Sequence, residues 1–478
     1  MIENPIITQN KLFNNLIQAA KKTKFGVDHS FDKISNYDDF KDLVPARKYE
    51  EIFPYIEEIR KGKDNILWPN SIKLFAKSSG TTNARSKYIP LSYETLNECH
   101  FKGGKDMLAV YLKNNPNSKI FNGKGIILGG SKKINSKYVD GDLSAILLDN
   151  FPFWVNTHRV PDLKTATMQN WSQKLENITN QSIKQNITNL SGVPSWMLIL
   201  LKNVIKKVGA NNITDIWPNL ELYIHGGINF KPYKNQFKSL IPSKKMNYLE
   251  TYNASEGFFA LQDRNNAHDM LLLLDYGIFY EFVSIKDLNK KSKKYISLKD
   301  VKTEHDYEII ISTNSGLWRY RIGDIIRFTS INPYRIIIKG RTKNCINTFG
   351  EELMVHNTDQ AIYETSIKTN CKITEYTVAP IFFTEKAGAH EWAIEFEEEP
   401  KEINEFNQIL DKKLKKINSD YDAKRSNNLI LRKPKINIIK NGIFLSWFKQ
   451  KNKLGGQNKI IRLSENRDFI NEIKKLNL

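Results

Sequence analysis

The sequence predicts an α/β fold in two parts, a large N-terminal domain and a smaller C-terminal one, on three observations. Its 478 residues exceed what one hydrophobic core usually supports. Stretches such as ITNLSGVPSWMLILLKNVIKKVG, at 187–209, run strand, turn, helix, the succession that builds layered α/β sheets. GLWRYRIGDIIRF, followed at once by INPYRIIIKGRTKNCINTFGEEL, reads at 316–353 as a strand hairpin running into a separately patterned unit.

Composition narrows the class. Hydrophobic content of 40% with 11% aromatics is that of a globular protein. No run approaches the ~18 apolar residues of a membrane span, and MLILL at 197–201 is short. The N-terminal MIENPIITQNKLF lacks a basic-then-apolar signal pattern, so a cytoplasmic protein without a membrane partner is expected. Lysine and arginine total 72 against 52 acidic residues, a formal charge of +20. That excess is spread along the chain with no nucleic-acid-binding signature, so a solvated basic surface is expected rather than a nucleic-acid partner. Cys99, Cys345 and Cys371 form no CxxC pair, and the eight histidines have no ligand spacing, so neither a disulfide framework nor a protein zinc site is expected.

Residues 10 to 62 read as helical. Leu12, Phe13, Leu16, Ile17 and Ala20 recur at helical spacing, as do Tyr49, Ile52, Tyr55, Ile56 and Ile59, with Pro45 at the second helix's start and Gly62 past its end. LFAKSSGTTNARSKYIPLS follows: an apolar strand, a Ser/Thr/Gly turn carrying Lys87, then YIPL. Hydroxyls and open backbone N–H groups around Gly80, with a cation beyond, suit a polyphosphate, although an ordinary Ser/Thr-rich hairpin has the same composition. Asn97 to Leu112 reads as a helix, GKGIILGGS as a strand into a glycine turn, and Ser195 as the cap of the helix after 187–191. LELYIHGGINF is a strand ending at Gly226-Gly227, where a flat ligand has room to approach, with His225 as a weak candidate base. In MNYLETYNASEGFFALQD, Tyr252 is an aromatic for stacking and Glu256 a carboxylate for a metal between phosphates, or else an exposed Glu on an amphipathic strand.

Alternation then places Trp318, Tyr320, Ile322, Asp324, Ile326 and Phe328 on one face and Arg319, Arg321 and Arg327 on the other. A carboxylate on an apolar face needs a partner or a ligand: it is expected either to pair with Arg319 or Arg321 or to hydrogen-bond a ligand, unless Gly323 marks a bulge that turns it outward. Beyond Lys339-Gly340, TVAPIFF and HEWAIEF read as strands and Lys401 to Ile417 as a helix, enough for a small α/β domain. Near the end, Gly455-Gly456-Gln457-Asn458-Lys459 is either a mobile loop presenting one cation or a solvated surface turn.

These motifs carry a resemblance. The (Y)RxGD segment around Asp324 and the run from Gly340-Arg341-Thr342-Lys343 to Gly350-Glu351-Glu352 resemble the adenylate-forming superfamily of acyl-CoA synthetases, peptide-synthetase adenylation domains and luciferases. Ser78-Ser79-Gly80-Thr81-Thr82 with Lys87, Tyr252-x-x-Ser255-Glu256 and the VPARKYEEIFPYIEEIRKG lead-in are similar to its auxin-responsive acyl-acid amido synthetase branch, with Asn83 and Ala84 departing where relatives carry Ala or Gly. The resemblance implies an N-terminal domain, 1–339, of mixed sheets, flanking helices and a β-barrel-like part, and a mobile C-terminal domain, 340–478, hinged at Lys339-Gly340. It implies ATP bound by Ser78, Ser79, Gly80, Thr81, Thr82, Tyr252, Ser255, Asp324 and Arg341, Mg²⁺ at Glu256, and catalysis by Lys87, Glu256 and Lys459. The implied reaction adenylates a carboxylic acid and passes the acyl group to an amine or amino acid. An acyl-CoA synthetase is the alternative, and a basic nucleic-acid-binding protein a more distant one. Phe151 to Pro161 and Trp196 to Leu200 are candidate walls for the acid.

Overall fold

The computed structural model describes residues 1–78, 87–227, 230, 233–288, 290, 293–341, 345–383, 387–451 and 460–477. Of the expected site residues, Ser79, Gly80, Thr81, Thr82 and Lys459 lie outside the described residues, as do Thr342 and Lys343.

A twelve-stranded sheet dominates the first 341 residues, and it changes character midway. One half is parallel: Arg159–Val160, Lys124–Ile127, Ile187–Ser191, Leu222–Gly226 and Asn247–Ala254 lie side by side in that order. Its strands are short apolar runs, buried because helices such as Trp171–Ser182 and Pro194–Val208 cover them. The helix at 194 opens on Pro194 with Val193 in the capping position and no side-chain cap, so Ser195 falls inside the helix rather than at its cap. The other half is antiparallel, beginning where Asn247–Ala254 turns back as Gly257–Leu261. It continues through Met270–Leu272, Tyr334–Arg341, Tyr320–Ile331, Asp306–Thr313 and Ile278–Ser284 to Tyr295–Ser297. A separate four-stranded sheet holds the hairpin Leu74–Ser78 and Lys87–Leu91, with Ser78 opposite Lys87, so Lys87 opens a strand rather than lying in the turn.

The strand Tyr320–Ile331 shows the alternation read from the sequence: Tyr320, Ile322, Asp324, Ile326 and Phe328 are buried. Its outer arginines pair sideways, Arg321 with Glu308 and Arg327 with Asp306. Arg319 departs from the pattern. The strand begins one residue later, and Arg319, at φ +45°, turns inward, where its guanidinium meets the fully buried Glu281 at 2.8 to 3.0 Å. Tyr37 donates to the same carboxylate, and Arg319 donates in turn to the carbonyls of Val44 and Lys41. The N-terminal segment is stitched here by backbone bonds as well: Arg47 N–H donates to the Arg319 carbonyl and Arg321 N–H to that of Arg47. This extended stitch explains why the second expected helix starts at Tyr49, four residues after Pro45. The 10–62 region is therefore several helices, Pro5–Ala20, Lys24–Asp28, Tyr37–Leu43 and Tyr49–Arg60. The helix expected from Asn97 begins as a π-helical turn, Thr95–Phe101, and continues as Lys102–Asn114.

After Arg341 the strand pair Cys345–Ile346 and Leu353–Met354 leads into a three-stranded sheet, Lys372–Ile381, Ala389–Glu398 and Lys435–Ile439. Tyr376, Val378, Trp392 and Ile394 face the helix Ile403–Ile417, while Ala379 and Ala393 on the opposite face pack with Phe444 and Phe469 of the helices Ile443–Gln450 and Asp468–Leu476. Covered on both sides, Ala389–Phe396 is buried without interruption. The apolar core of the parallel half continues into this part through Ile346, Phe349 and Leu353, and Tyr233 donates to the Thr348 carbonyl at 2.6 Å.

Because Glu281 has no water to turn to, Arg319→Ala is expected to destabilise the protein by about 3–5 kcal/mol. Arg327→Ala, which breaks a solvent-facing pair, should shift the urea midpoint far less. Equal midpoints for the two variants would remove Arg319 as the anchor.

Candidate active site

The functional side chains meet where the sheet passes from parallel to antiparallel. Tyr252 lies on the last parallel strand, Ser255 and Glu256 form the turn that reverses direction, and Asp324 and Arg341 face each other across a hairpin further along the same sheet, beyond Met270–Leu272. Lys87 arrives from the four-stranded sheet. The fold thus brings together six residues from four separate parts of the sequence.

Asp324 is buried, 6% exposed, although a bulge does precede it: Gly323 has φ +91° and the register with the strand Asp306–Thr313 slips between Glu308 and Ile310. The bulge therefore leaves the carboxylate inside. Its partners are neither Arg319 nor Arg321. Tyr252 donates its hydroxyl to Oδ2 at 2.5 Å, and Arg341 Nε stands 2.8 Å from Oδ1 as an ion pair without hydrogen-bond alignment, so Oδ1 has no aligned donor. Arg341 is shared, since its Nη1 also lies 3.5 Å from Glu352. The Asp324 carboxylate first, and then Glu352, hold the guanidinium's pKa well above its usual value. Glu352 is itself at φ +39°, an uncommon conformation for a residue with a Cβ, with its N–H donating to Asn347.

Lys87 is 8% exposed and donates to the Tyr320 hydroxyl at 3.2 Å; among the described residues no carboxylate is within ion-pair distance of it. Burial lowers its pKa, against which Glu256 acts to raise it. Glu256, 8% exposed, is pushed the opposite way: burial raises its pKa and Lys87 lowers it. The two charges are mutually favourable, while burial works against each. Among the described residues no three His, Cys, Asp or Glu side chains are grouped to hold a metal ion.

Tyr252 does not present an open ring. It is buried, packed against Phe259 with centroids 4.7 Å apart, and its hydroxyl serves Asp324. His225 is 4% exposed and stacked on Phe230 at 4.1 Å, and burial pulls its pKa down to about 3, which suits packing rather than base catalysis. Gly226 is required by its neighbour: a Cβ there would stand 2.4 Å from the Thr251 carbonyl oxygen. Lys339 and Gly340 lie within the strand Tyr334–Arg341, opposite Ile325 and Ile326 where the register slips. Sequence reasoning missed Tyr320 and Glu352. Tyr320 was findable, since it shares the alternating face of Asp324, but nothing in the sequence marked Glu352 as the second partner of Arg341. A small cleft of about 50 Å³ reaches this cluster, with Lys87, Arg341 and Met354 in its lining.

The raised pKa of Glu256 has a testable sign. A carboxyl whose folded pKa exceeds the unfolded one costs stability fully above the folded value, and the cost disappears below the ordinary carboxylate range. Glu256→Gln should therefore leave the thermal midpoint of the ligand-free protein unchanged or higher at neutral pH, with the difference vanishing on acidification. A lower midpoint at neutral pH that persists in acid would contradict this account.

Comparison with known proteins gives the family of the chain. The chain matches the GH3 family N-terminal domain over residues 1–246, the GH3 family central domain over 271–341 and the GH3 family C-terminal domain over 356–468. It is 23% identical over 404 residues to the Arabidopsis thaliana indole-3-acetic acid-amido synthetase GH3.4, covering 69% of this chain and 65% of that one. It is 22% identical over 390 residues to the Arabidopsis thaliana 4-substituted benzoates-glutamate ligase GH3.12, covering 67% and 66%. In both cases the match spans just under two thirds of the relative's own length. Among solved structures, AtGH3.15 acyl acid amido synthetase in complex with 2,4-DB superposes with a TM-score of 0.63 at 17% identity, covering 99% of this chain and 94% of that one. A 2-hydroxyisobutyryl-CoA ligase in complex with 2-HIB-AMP and CoA gives 0.60 at 11% identity, covering 99% and 92%. The fold is thus shared with both kinds of ligase, and over more than half of its length the chain belongs to the GH3 family.

Proposed function

We propose that this protein adenylates a carboxylic acid with ATP and then transfers the acyl group to an amine, an amino acid in the first instance, to form an amide. The observation that carries the reading is the buried Asp324, whose Oδ1 has no aligned donor, beside a buried Lys87 without a carboxylate partner. A nucleotide supplies both missing groups, ribose hydroxyls for the aspartate and phosphate oxygens for the lysine. The named activities of the GH3 relatives support the same reading.

In the first step a carboxylate oxygen attacks the α-phosphorus and pyrophosphate departs. In the second the amine nitrogen attacks the acyl carbon, and the bond to AMP breaks. Neither step needs a nucleophile from the protein, so its contribution is positioning and charge neutralisation. Asp324 holds the ribose, with Tyr252 and Arg341 orienting its carboxylate, and Lys87 faces the phosphates. Ser78, Ser79, Gly80, Thr81 and Thr82 offer hydroxyl and N–H donors to the phosphate chain, Ser255 flanks it in the reversing turn, and Lys459 is the second cation. Glu256 would be the protein ligand of Mg²⁺, which when bound neutralises phosphate charge. The part beyond about Gly340 serves as a mobile domain, turning between the two steps. Gly340 suits that role, with φ +139° and open space where a Cβ would stand.

Asp324→Ala should weaken ATP binding by about 10- to 100-fold, the worth of one charged hydrogen bond. Calorimetry checks this, and unchanged affinity removes Asp324 from the ribose. Lys339→Pro, stiffening the joint, should slow one half-reaction more than the other, and equal loss in both counts against rotation here. The reaction itself is decided by screening carboxylic acids for ATP-dependent pyrophosphate release, then supplying amino acids or CoA and identifying products by mass spectrometry. Amide is expected, and thioester without amide would assign a CoA ligase instead.

A further inference from the structure

Glu352 adopts φ +39°, a backbone conformation that is costly for a residue with a Cβ and persists only where the surroundings impose it. They do so on both sides of the residue. Its N–H donates to Asn347 Oδ1 at 3.1 Å, and its carbonyl accepts from Asn418 Nδ2 at 3.3 Å, the same amide that donates to the Glu351 carbonyl at 3.0 Å. Glu351 is itself fixed: its fully buried carboxylate accepts from the Phe349 N–H at 2.7 Å and lies 2.8 Å from His390 Nε2. Core packing does not require this strain, because the Glu352 side chain stays partly exposed. What the conformation presents is a carboxylate 3.5 Å from Arg341 Nη1.

Arg341 is the group through which that carboxylate matters. Its Nε stands 2.8 Å from Asp324 Oδ1 without the alignment of a hydrogen bond, and Oδ1 has no hydrogen-bond donor among the described residues. A guanidinium beside a single carboxylate favours the bidentate fork, two parallel N–H donors on the two oxygens. Oδ2 is already taken by the Tyr252 hydroxyl, so a fork here would close Oδ1 as well. With Nη1 drawn toward Glu352, the guanidinium is shared between two carboxylates and stops short of that arrangement.

We propose that Glu352 is a positioning residue of the nucleotide site: by holding Arg341 from the C-terminal side, it keeps Asp324 Oδ1 open to the ribose. The proposal rests on the nucleotide reading above and adds the residue that keeps its aspartate available. It also accounts for the strain, since returning φ to the ordinary negative range would redirect the side chain.

The test measures ATP affinity by calorimetry and the thermal midpoint on the same full-length variants. Glu352→Gln and Glu352→Gly should each weaken ATP binding about three- to tenfold, roughly the worth of one hydrogen bond to the ribose. Glycine is at ease at positive φ, so Glu352→Gly should keep the parent's thermal midpoint or raise it. A lower midpoint in that variant makes Glu352 a structural residue and overturns the proposal, as does parental ATP affinity in both variants. A cycle with Arg341 decides whether Glu352 acts through it. Added to Arg341→Ala, Glu352→Gly should change ATP affinity no further, and a loss of full size in that background overturns the proposal. Absence of ATP binding by the parent protein would be a different failure, removing the nucleotide reading and the proposal with it.

Discussion

The cost of taking charge out of water governs this structure. Arg319 and Glu281 are both essentially without solvent, and such a pair persists only when every remaining donor is used. Here Tyr37 donates to the carboxylate and Arg319 Nη1 to the carbonyls of Val44 and Lys41, leaving Nη2 with the Glu281 ion pair alone, so one ion pair draws residues 37 to 44 onto the antiparallel half of the sheet. The backbone bonds between Arg47 and the 319–321 segment follow from that docking. With its first residue fixed, the strand Tyr320–Ile331 can present Tyr320, Ile322 and Asp324 inward in a defined register.

A second consequence concerns where the chemistry sits. A parallel sheet gathers the ends of its strands at one edge, and an antiparallel hairpin brings a strand back beside them. At the junction Glu256 occupies the turn itself, and Asp324 and Arg341 stand on a hairpin that lies beyond Gly257–Leu261 and Met270–Leu272 in the same sheet, from which Asp324 meets the Tyr252 hydroxyl. Lys87 enters from a different sheet, and its bond to Tyr320 ties that sheet to the same strand. The cluster is therefore carried on regular elements, which favours a rigid geometry.

Much of this was legible in the sequence because it depends on periodicity. Alternation gave the buried face holding Asp324, and the strand–turn–helix succession at 187–209 gave the α/β layering. What escaped depends on pairing across long separations. Arg319 looks like an outer-face residue until Glu281 and its positive φ are known. Pro45 looks like a helix start until Arg47 is seen bonded to Arg319 and Arg321. Glycine at 226 suggests room for a ligand, whereas the constraint is the carbonyl of Thr251. The Tyr252 hydroxyl on Asp324 is a contact across 72 positions that no local pattern encodes.

Asp324 already has company before any ligand arrives, and this changes what binding means there. A newcomer does not find a bare carboxylate; it enters an exchange in which the Tyr252 hydroxyl and the Arg341 guanidinium are retained or replaced. Under the proposed function, only a ligand that restores the lost contacts would gain from the exchange, so the site would discriminate by completeness of hydrogen bonding more than by raw attraction. The same arrangement eases departure, since the protein groups stand ready to close over the aspartate as the ligand leaves. Because Arg341 also reaches Glu352, beyond the last strand of the large sheet, one guanidinium ties the Asp324 carboxylate to the C-terminal side of the chain.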